Sequence, residues 1–225
     1  MTAPAHPLTD LVRCWQHGWG VACGLAPADE ADGALHVLSG KPGRHLESIV
    51  LDADGDPAAL RALAAQVAGS PHPDWLTVPT TAPREVTAVL GEEGLRLAAE
   101  QEHFMTIDLR DHPDLPVVDP YSVSLDRDGP ILDIRIADEH GRPAAHGIMV
   151  VHDGVAVAHN IATYRTHRRR GLGGAVMSSL VRAATGLGAE TGLLTASKQG
   201  RHLYTALGWT HRAGVVSAGT REPRK

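Results

Sequence analysis

Three arginines and three glycines fall within seven residues of this chain, Arg168-Arg169-Arg170-Gly171-Leu172-Gly173-Gly174, and no other stretch is as well suited to chemistry. The run HNIATY (159–164) leads into it, and Leu172, Val176, Leu180 and Ala184 follow at four-residue intervals, one face of a helix. A strand that empties into a basic turn at a helix start presents unpaired backbone N–H groups and the positive end of a helix dipole, both of which attract an anion. Glycine lets a phosphate approach the backbone, and arginine adds charge-assisted hydrogen bonds to its oxygens. Taken alone, the same residues also fit a close helix–sheet contact beside a solvated basic face. A P-loop is excluded because neither Lys-Ser nor Lys-Thr follows the glycines, and the strand pattern upstream disfavours a dinucleotide fold.

The elements that must position this turn show in the periodicities. Leu8, Leu11, Val12 and Trp15 form one helical face. ALHVLSG and HLESIVLDAD read as strands, and Asp56-Pro57 opens a helix carrying Leu60, Leu63, Ala64 and Val67 inward. DWLTVPT, a helix from Pro83 stopped at Gly91, and HFMTIDLR complete the first half. Residues 111–120 hold three prolines and three aspartates, which predicts a domain boundary between 1–115 and 116–225. Beyond it, YSVSL, ILDIRIA, AAHGIMVV and VAVAHNIA read as an antiparallel meander turned at Asp128-Gly129, His140-Gly141 and Asp153-Gly154. Leu132, Ile134 and Ile136 alternate with Asp133 and Arg135, giving a covered and a wet face. The helix after Gly171 runs to about Leu187, GLLTAS is a strand, GRHLYTAL a helix and WTHRAGVVSAG a strand or strand pair, with REPRK a frayed tail.

Composition narrows the classes. The chain has 225 residues, 43% of them hydrophobic, enough for a packed core in one large or two small domains. A net charge of -5 argues against nucleic acid or an anionic membrane as partner, although RTHRRR by itself fits a nucleic-acid patch. No apolar run reaches the ~20 residues of a membrane span and the first residues lack a signal-peptide pattern, so a cytoplasmic location is expected. Cys14 and Cys23 read as buried free thiols. No HExxH or GxSxG occurs, so neither a metal site nor a serine hydrolase is expected.

Arg168-Arg169-Arg170-Gly171-Leu172-Gly173 resembles the R/Q-x-x-G-x-G/A motif of the GNAT acyltransferase superfamily, and LLTASKQGRHLYTALGW is similar to the fifth strand and following helix of that family, ending in LY-x-x-(L/Y)-G-(F/W). The resemblance covers about 121–216. It implies an α/β (α+β) fold with a mixed, mostly antiparallel sheet flanked by helices, and acetyl-CoA as cosubstrate without a metal. It places the pyrophosphate on Arg168, Arg169, Arg170, Gly171, Leu172, Gly173 and Gly174, and the pantetheine arm along the bulged strand at Ile161, Ala162 and Thr163. Ser197 stands where many members have an asparagine that contacts the arm. Tyr204 takes the place of the tyrosine that protonates the departing thiolate. Members often carry a Glu on the fourth strand. Here the corresponding face reads Val155, Val157, His159 and Ile161, which makes His159 the candidate base.

In one respect the chain departs from the family. The tight Asp128-Gly129 turn leaves no room for the two helices that usually wall the acceptor pocket between the first two strands. The first half, or a second copy in a homodimer, must then supply that wall. Its order of helices and strands reads as a degenerate GNAT-like unit in tandem with the second half, and, lacking R-x-x-G-x-G, it is expected to hold no cofactor. Trp15, Trp19 and Trp75 are its candidate pocket residues. The activity implied is acyl transfer to a small-molecule or protein amine by a monomer or homodimer. The alternative is an acyl-CoA-binding regulator without catalysis.

Overall fold

The computed structural model describes residues 6–220. In chain order the elements are α1 (Leu8–Ala22), β1 (Asp29–Ala31), β2 (Ala34–Lys41), β3 (Arg44–Val50), α2 (Pro57–Ala68), β4 (Trp75–Thr80), α3 (Pro83–Glu92), β5 (Arg96–Leu97), β6 (Glu102–Asp108), β7 (Ser122–Asp128), β8 (Ile131–Ala137), β9 (Pro143–His152), β10 (Val155–Thr163), α4 (Leu172–Thr185), β11 (Thr191–Ala196), α5 (Lys198–Ala206) and β12 (Thr210–Gly219). WTHRAGVVSAG is thus a single strand, and REPRK lies outside the described residues.

Local chemistry accounts for most of these boundaries. Pro57 begins α2 behind Asp56, whose carboxylate accepts the Ala59 N–H at 2.9 Å as an N-cap. At the β9–β10 turn both Asp153 (φ 47°) and Gly154 (φ 76°) have positive φ, as the tightest hairpin requires. The β7–β8 turn differs from expectation. Asp128 pairs with Ile131, so the two central residues are Gly129 and Pro130, with Gly129 alone at positive φ (54°). Glycine first suits the mirror-image turn whose second residue has the φ that proline fixes.

Each half repeats one plan: an antiparallel pair, a crossover helix to a parallel strand, a second helix and a final strand. In the first half this is β2, β3, α2, β4, α3, β6, and in the second β9, β10, α4, β11, α5, β12. The parallel pairs are β3 with β4 and β10 with β11. The final strands are exchanged. β6 of the first half pairs with β11, and β12 of the second lies between β4 and β6. The result is one 12-stranded sheet in the order β1-β2-β3-β4-β12-β6-β11-β10-β9-β8-β7, with β5 also on β12, and the sheet runs unbroken across the 115/116 division.

Helices cover both faces. α1 buries Leu11, Val12 and Trp15 against Phe104, Val157, Leu193, Ala213 and Val215, so a first-half helix packs on strands of the second. Gly18 lets it sit close: a Cβ there would lie 2.5 Å from Val157 Cγ2. On the opposite face, α2 and α3 bury Leu60, Leu63, Val86 and Leu90 over β4 and β12. There too Leu172, Val176, Leu180 and Ala184 of α4 pack on Leu132, Ile134, Ile136 and Met149, joined by Tyr204 of α5 and by Leu207 just beyond its end.

Candidate functional site

The site begins where β10 and β11 part. They pair only through Val155–Val157 and Thr191–Leu193; beyond that β10 keeps β9 and β11 keeps β6, leaving a V-shaped gap. The backbone of β10 past Val157 therefore has polar groups facing the gap without a strand partner, an arrangement persisting only where water or a ligand satisfies them.

A bulge shapes this edge. His159 pairs with Ile148 and Ala162 with His146, so Asn160 and Ile161 together face Gly147 alone. Asn160 takes φ 52° to make the extra residue fit. The insertion breaks the alternation of faces, and here the expected common face of Val155, Val157, His159 and Ile161 fails. Val157 packs under α1, whereas the Ile161 side chain packs on the α4 side. A Cβ on Gly147 would stand 2.4 Å from Ile161 Cδ1 and 2.8 Å from Val176 Cγ1, so Gly147 is the vacancy that Ile161 fills.

At the open end of the V, Gly171 caps α4 in the left-handed region (φ 78°), and Arg169 shares that conformation (φ 63°). Ala175 N–H is the first to bond back, to Gly171 O at 3.1 Å, so the N–H groups of Leu172, Gly173 and Gly174 are free of the helix ladder. The glycines have different duties. Gly171 answers to its φ, since a Cβ there would meet nothing within 4 Å, while a Cβ on Gly174 would press on Leu115 Cδ1 at 2.8 Å. The equivalent helix start in the first half is of the opposite charge: Asp52, Asp54 and Asp56 precede α2, and Asp56 caps it.

A cleft of about 820 Å³ joins these parts. Its walls include Ile161, Ala162, Thr163, Arg168, Arg169, Gly171, Leu172, Gly173, Gly174, Ser197 and Tyr204. Such a groove, with free N–H groups, two arginines and unpaired strand backbone, can receive an anionic head with an extended amide-bearing tail. Arg168 also donates from Nε to Thr163 O at 3.2 Å, steadying the turn on β10. Arg170 is not part of the wall. Its Nη1 donates to the Tyr121 hydroxyl at 2.8 Å, which directs the guanidinium away from the cleft. Ser197 caps α5, its Oγ accepting the Gly200 N–H at 3.1 Å, and keeps its own O–H to donate.

A second pocket, of about 530 Å³, adjoins the first and is walled by both halves; the first contributes Trp15 and Trp19 of α1, Arg44 and Glu47 of β3, and Glu100 and Glu102 before and in β6. His159 faces this pocket and not the cleft. Its ring is half-buried, with Nε2 at 3.5 Å from Cys23 Sγ, and burial, with Lys41 nearby, holds its pKa below the usual histidine value. Cys14 and Cys23 are half-buried rather than fully buried. Trp75 lies outside the pocket, beneath Arg44, whose guanidinium stands 4.2 Å over the indole. Glu47, Glu100, Glu102 and Arg44 went unnoticed in the sequence, where they lie far from the basic turn. The missing helical wall between the first two strands of the second half was the one indication that such residues had to come from the first.

Ile161, Ser197, Gly200 and Tyr204 line both spaces. Tyr204 is only 7% exposed, burial pushes its pKa up to about 12, and its hydroxyl has no hydrogen-bond partner among the described residues. Gly200 leaves room for the ring, since a Cβ there would sit 3.2 Å from Tyr204 Cε2. No group of three His, Cys, Asp or Glu side chains among the described residues is arranged to hold a metal ion.

The model of the acetyltransferase (GNAT) family matches residues 97–209, from β5 through α5. The chain belongs to the GNAT family. Among solved structures with this fold, a GCN5-related N-acetyltransferase from Kribbella flavida is 16% identical, with a TM-score of 0.70 over 98% of each chain. One from Sphaerobacter thermophilus is 11% identical, with a TM-score of 0.63 over 100% of this chain and 99% of that one. A tandem GNAT protein from the clavulanic acid biosynthesis pathway is 12% identical, with a TM-score of 0.58 over 85% of this chain and 79% of that one. No curated protein matches the chain. Identities this low speak for the fold, and a GNAT fold supports acyl transfer in general.

Proposed function

We propose that this GNAT protein transfers an acetyl group from acetyl-CoA to a primary amine by direct attack on the thioester. One observation carries the reading: a cleft suited to an anionic head and an extended tail meets a second pocket at Tyr204, a largely buried phenol whose hydroxyl has no hydrogen-bond partner among the described residues. In this reading the pyrophosphate lies on the free N–H groups of Leu172, Gly173 and Gly174 beside Arg168 and Arg169. The arm runs along Ile161, Ala162 and Thr163 with Ser197 opposite. The free N–H groups of the bulged strand polarise the thioester carbonyl.

The amine nitrogen bonds to the carbonyl carbon as the carbon–sulfur bond breaks, and the sulfur leaves with the electron pair. Tyr204 donates to that sulfur as its charge develops and passes it a proton; the proton lost by the amine goes to pocket water beside His159, and water returns a proton to the Tyr204 phenolate, so the phenol is restored for the next turnover. A pKa near 12 keeps the phenol protonated throughout the physiological range, so the donor is always present. The alternative, a non-catalytic acyl-CoA-binding regulator, rests on the missing acceptor wall and the absent Glu on the fourth strand; against it, Trp15, Trp19, Arg44 and Glu47 line a pocket that could serve as such a wall. The test is release of free thiol from acetyl-CoA across an amine panel, with native mass spectrometry of the protein for bound acyl-CoA. Acetyl-CoA binding without any acetylated amine would refute the reading.

A further inference from the structure

The acceptor pocket is unevenly charged. Arg44 is the one lysine or arginine among its lining residues, and it is spent within the wall: its Nη1 meets Glu47 Oε2 at 2.9 Å. Glu47 is only 3% exposed and also accepts the Thr77 hydroxyl at 2.8 Å, so that carboxylate is fully engaged. Glu100 and Glu102 remain. Glu100, in the bend just before β6, and Glu102, the first residue of β6, both line the pocket and make no ion pair among the described residues. Both side chains keep access to solvent, and partial desolvation by the pocket walls raises the pKa of Glu102; Arg44 opposes this and the Glu47 and Glu100 carboxylates add to it. A cationic ligand would relieve both carboxylates.

Two further features indicate what kind of ligand. Trp15 and Trp19 stack at 5.9 Å between ring centroids with 15° between their planes and give the pocket an apolar, π-rich side. Where the pocket meets the cleft stands Tyr204, nine-tenths buried and without a hydrogen-bond partner among the described residues, where the reacting amine must arrive. A single alkylammonium placed at Tyr204 would lose its charge to react and leave Glu100 and Glu102 unanswered.

Resting on the acetyl-transfer reading, we propose that the acceptor is a dicationic amine: one amino group is acetylated at Tyr204, an apolar spacer lies along Trp15 and Trp19, and a second positive charge is held by Glu100 and Glu102. Only the first nitrogen changes covalently. It gains the acetyl carbon and loses a proton to pocket water, while the second charge is kept from substrate to product.

The experiment compares four acceptors of equal length with acetyl-CoA: 1,4-diaminobutane, butylamine, 4-aminobutan-1-ol and 4-aminobutanoate. A charge-assisted contact predicts a kcat/KM for the diamine about 10- to 100-fold above butylamine, with the zwitterion last. Glu100→Gln and Glu102→Gln are each expected to pull the diamine-to-butylamine ratio toward one, and a ratio measured within one variant does not depend on how much of it folds. If butylamine or 4-aminobutanoate reacts as fast as the diamine, or if the ratio survives both substitutions, the inference falls while acetyl transfer stands. If no amine is acetylated although acetyl-CoA binds, both fall.

Discussion

Tyr204→Phe separates a catalytic phenol from a packing one, because the two readings give changes of opposite sign. The ring is buried with Leu207 and Trp209, and Phe preserves those contacts. What goes is a hydroxyl with no partner among the described residues but not itself fully enclosed, and a fully buried unsatisfied polar group would cost about 1–3 kcal/mol. Part of that cost is relieved here because the hydroxyl faces the pocket, so the Phe variant is expected to be as stable as the parent or more so by up to about 1 kcal/mol. The leaving thiolate, by contrast, loses its donor. A hydrogen bond to a charged group contributes about 1.5–3 kcal/mol, which predicts a fall in kcat of roughly 10- to 150-fold. The measurements are thiol release at saturating acetyl-CoA with the best acceptor of the amine panel, the acetyl-CoA Kd by calorimetry, and Tm. A lower kcat with Kd unchanged and Tm equal or higher supports the role. An unchanged kcat refutes it, and a lowered Tm with loss of binding would make Tyr204 a structural residue.

Gly171→Ala forces a side chain into φ 78° where nothing crowds it, so the cost is conformational alone, about 1 kcal/mol or a Tm loss of roughly 2–4 °C, and acetyl-CoA binding should weaken as the helix start shifts. Arg168→Ala should raise the acetyl-CoA Kd about tenfold, whereas Arg170→Ala, with its guanidinium turned to Tyr121, should leave it within about twofold. Gly147→Ala overpacks Ile161 and Val176 at about 1–3 kcal/mol, and should displace the bulge enough to weaken acetyl-CoA binding too. Stability should fall on acidification. Burial and then Arg201 depress both His103 and His211, whose ring nitrogens approach to 3.3 Å, and His211 depresses His103 further; a depressed folded pKa gives stability that is present above the unfolded value near 6.5 and lost as pH falls through the folded pKa. Tm measured from about pH 7.5 down to about pH 5.5 should decline, and less so in His103→Asn, which removes one of the two imidazoles.

What the chain discloses locally matches the structure closely. Pro57 behind Asp56 set the start of α2, and Asp153-Gly154 its hairpin, because capping and turn conformations depend on neighbours in sequence. The basic turn was legible for the same reason. The exchange of β6 and β12 was not, because strand pairing joins residues such as Val78 and Val216 that no local pattern connects. The second pocket was hidden likewise: Glu47 and Tyr204 line one space only through the completed sheet. His159 and Ile161 show how a period-2 reading fails at a bulge, since one inserted residue reverses every face beyond it. Arg170 shows how a charge in a motif can be diverted by a side chain, Tyr121, that is remote in sequence.

The place of β12 between β4 and β6 has a bearing on how the protein is made. β12 is synthesised after both its neighbours, so while the ribosome is still reading the second half, β4 and β6 each present an open hydrogen-bonding edge to the cell. The halves cannot mature one after the other, because neither sheet is complete until the last strand slots in. Folding of the sheet is thereby held back until β12 has emerged, and a stall in the region of α5 would release a chain with its central edges bare and prone to pair with other copies.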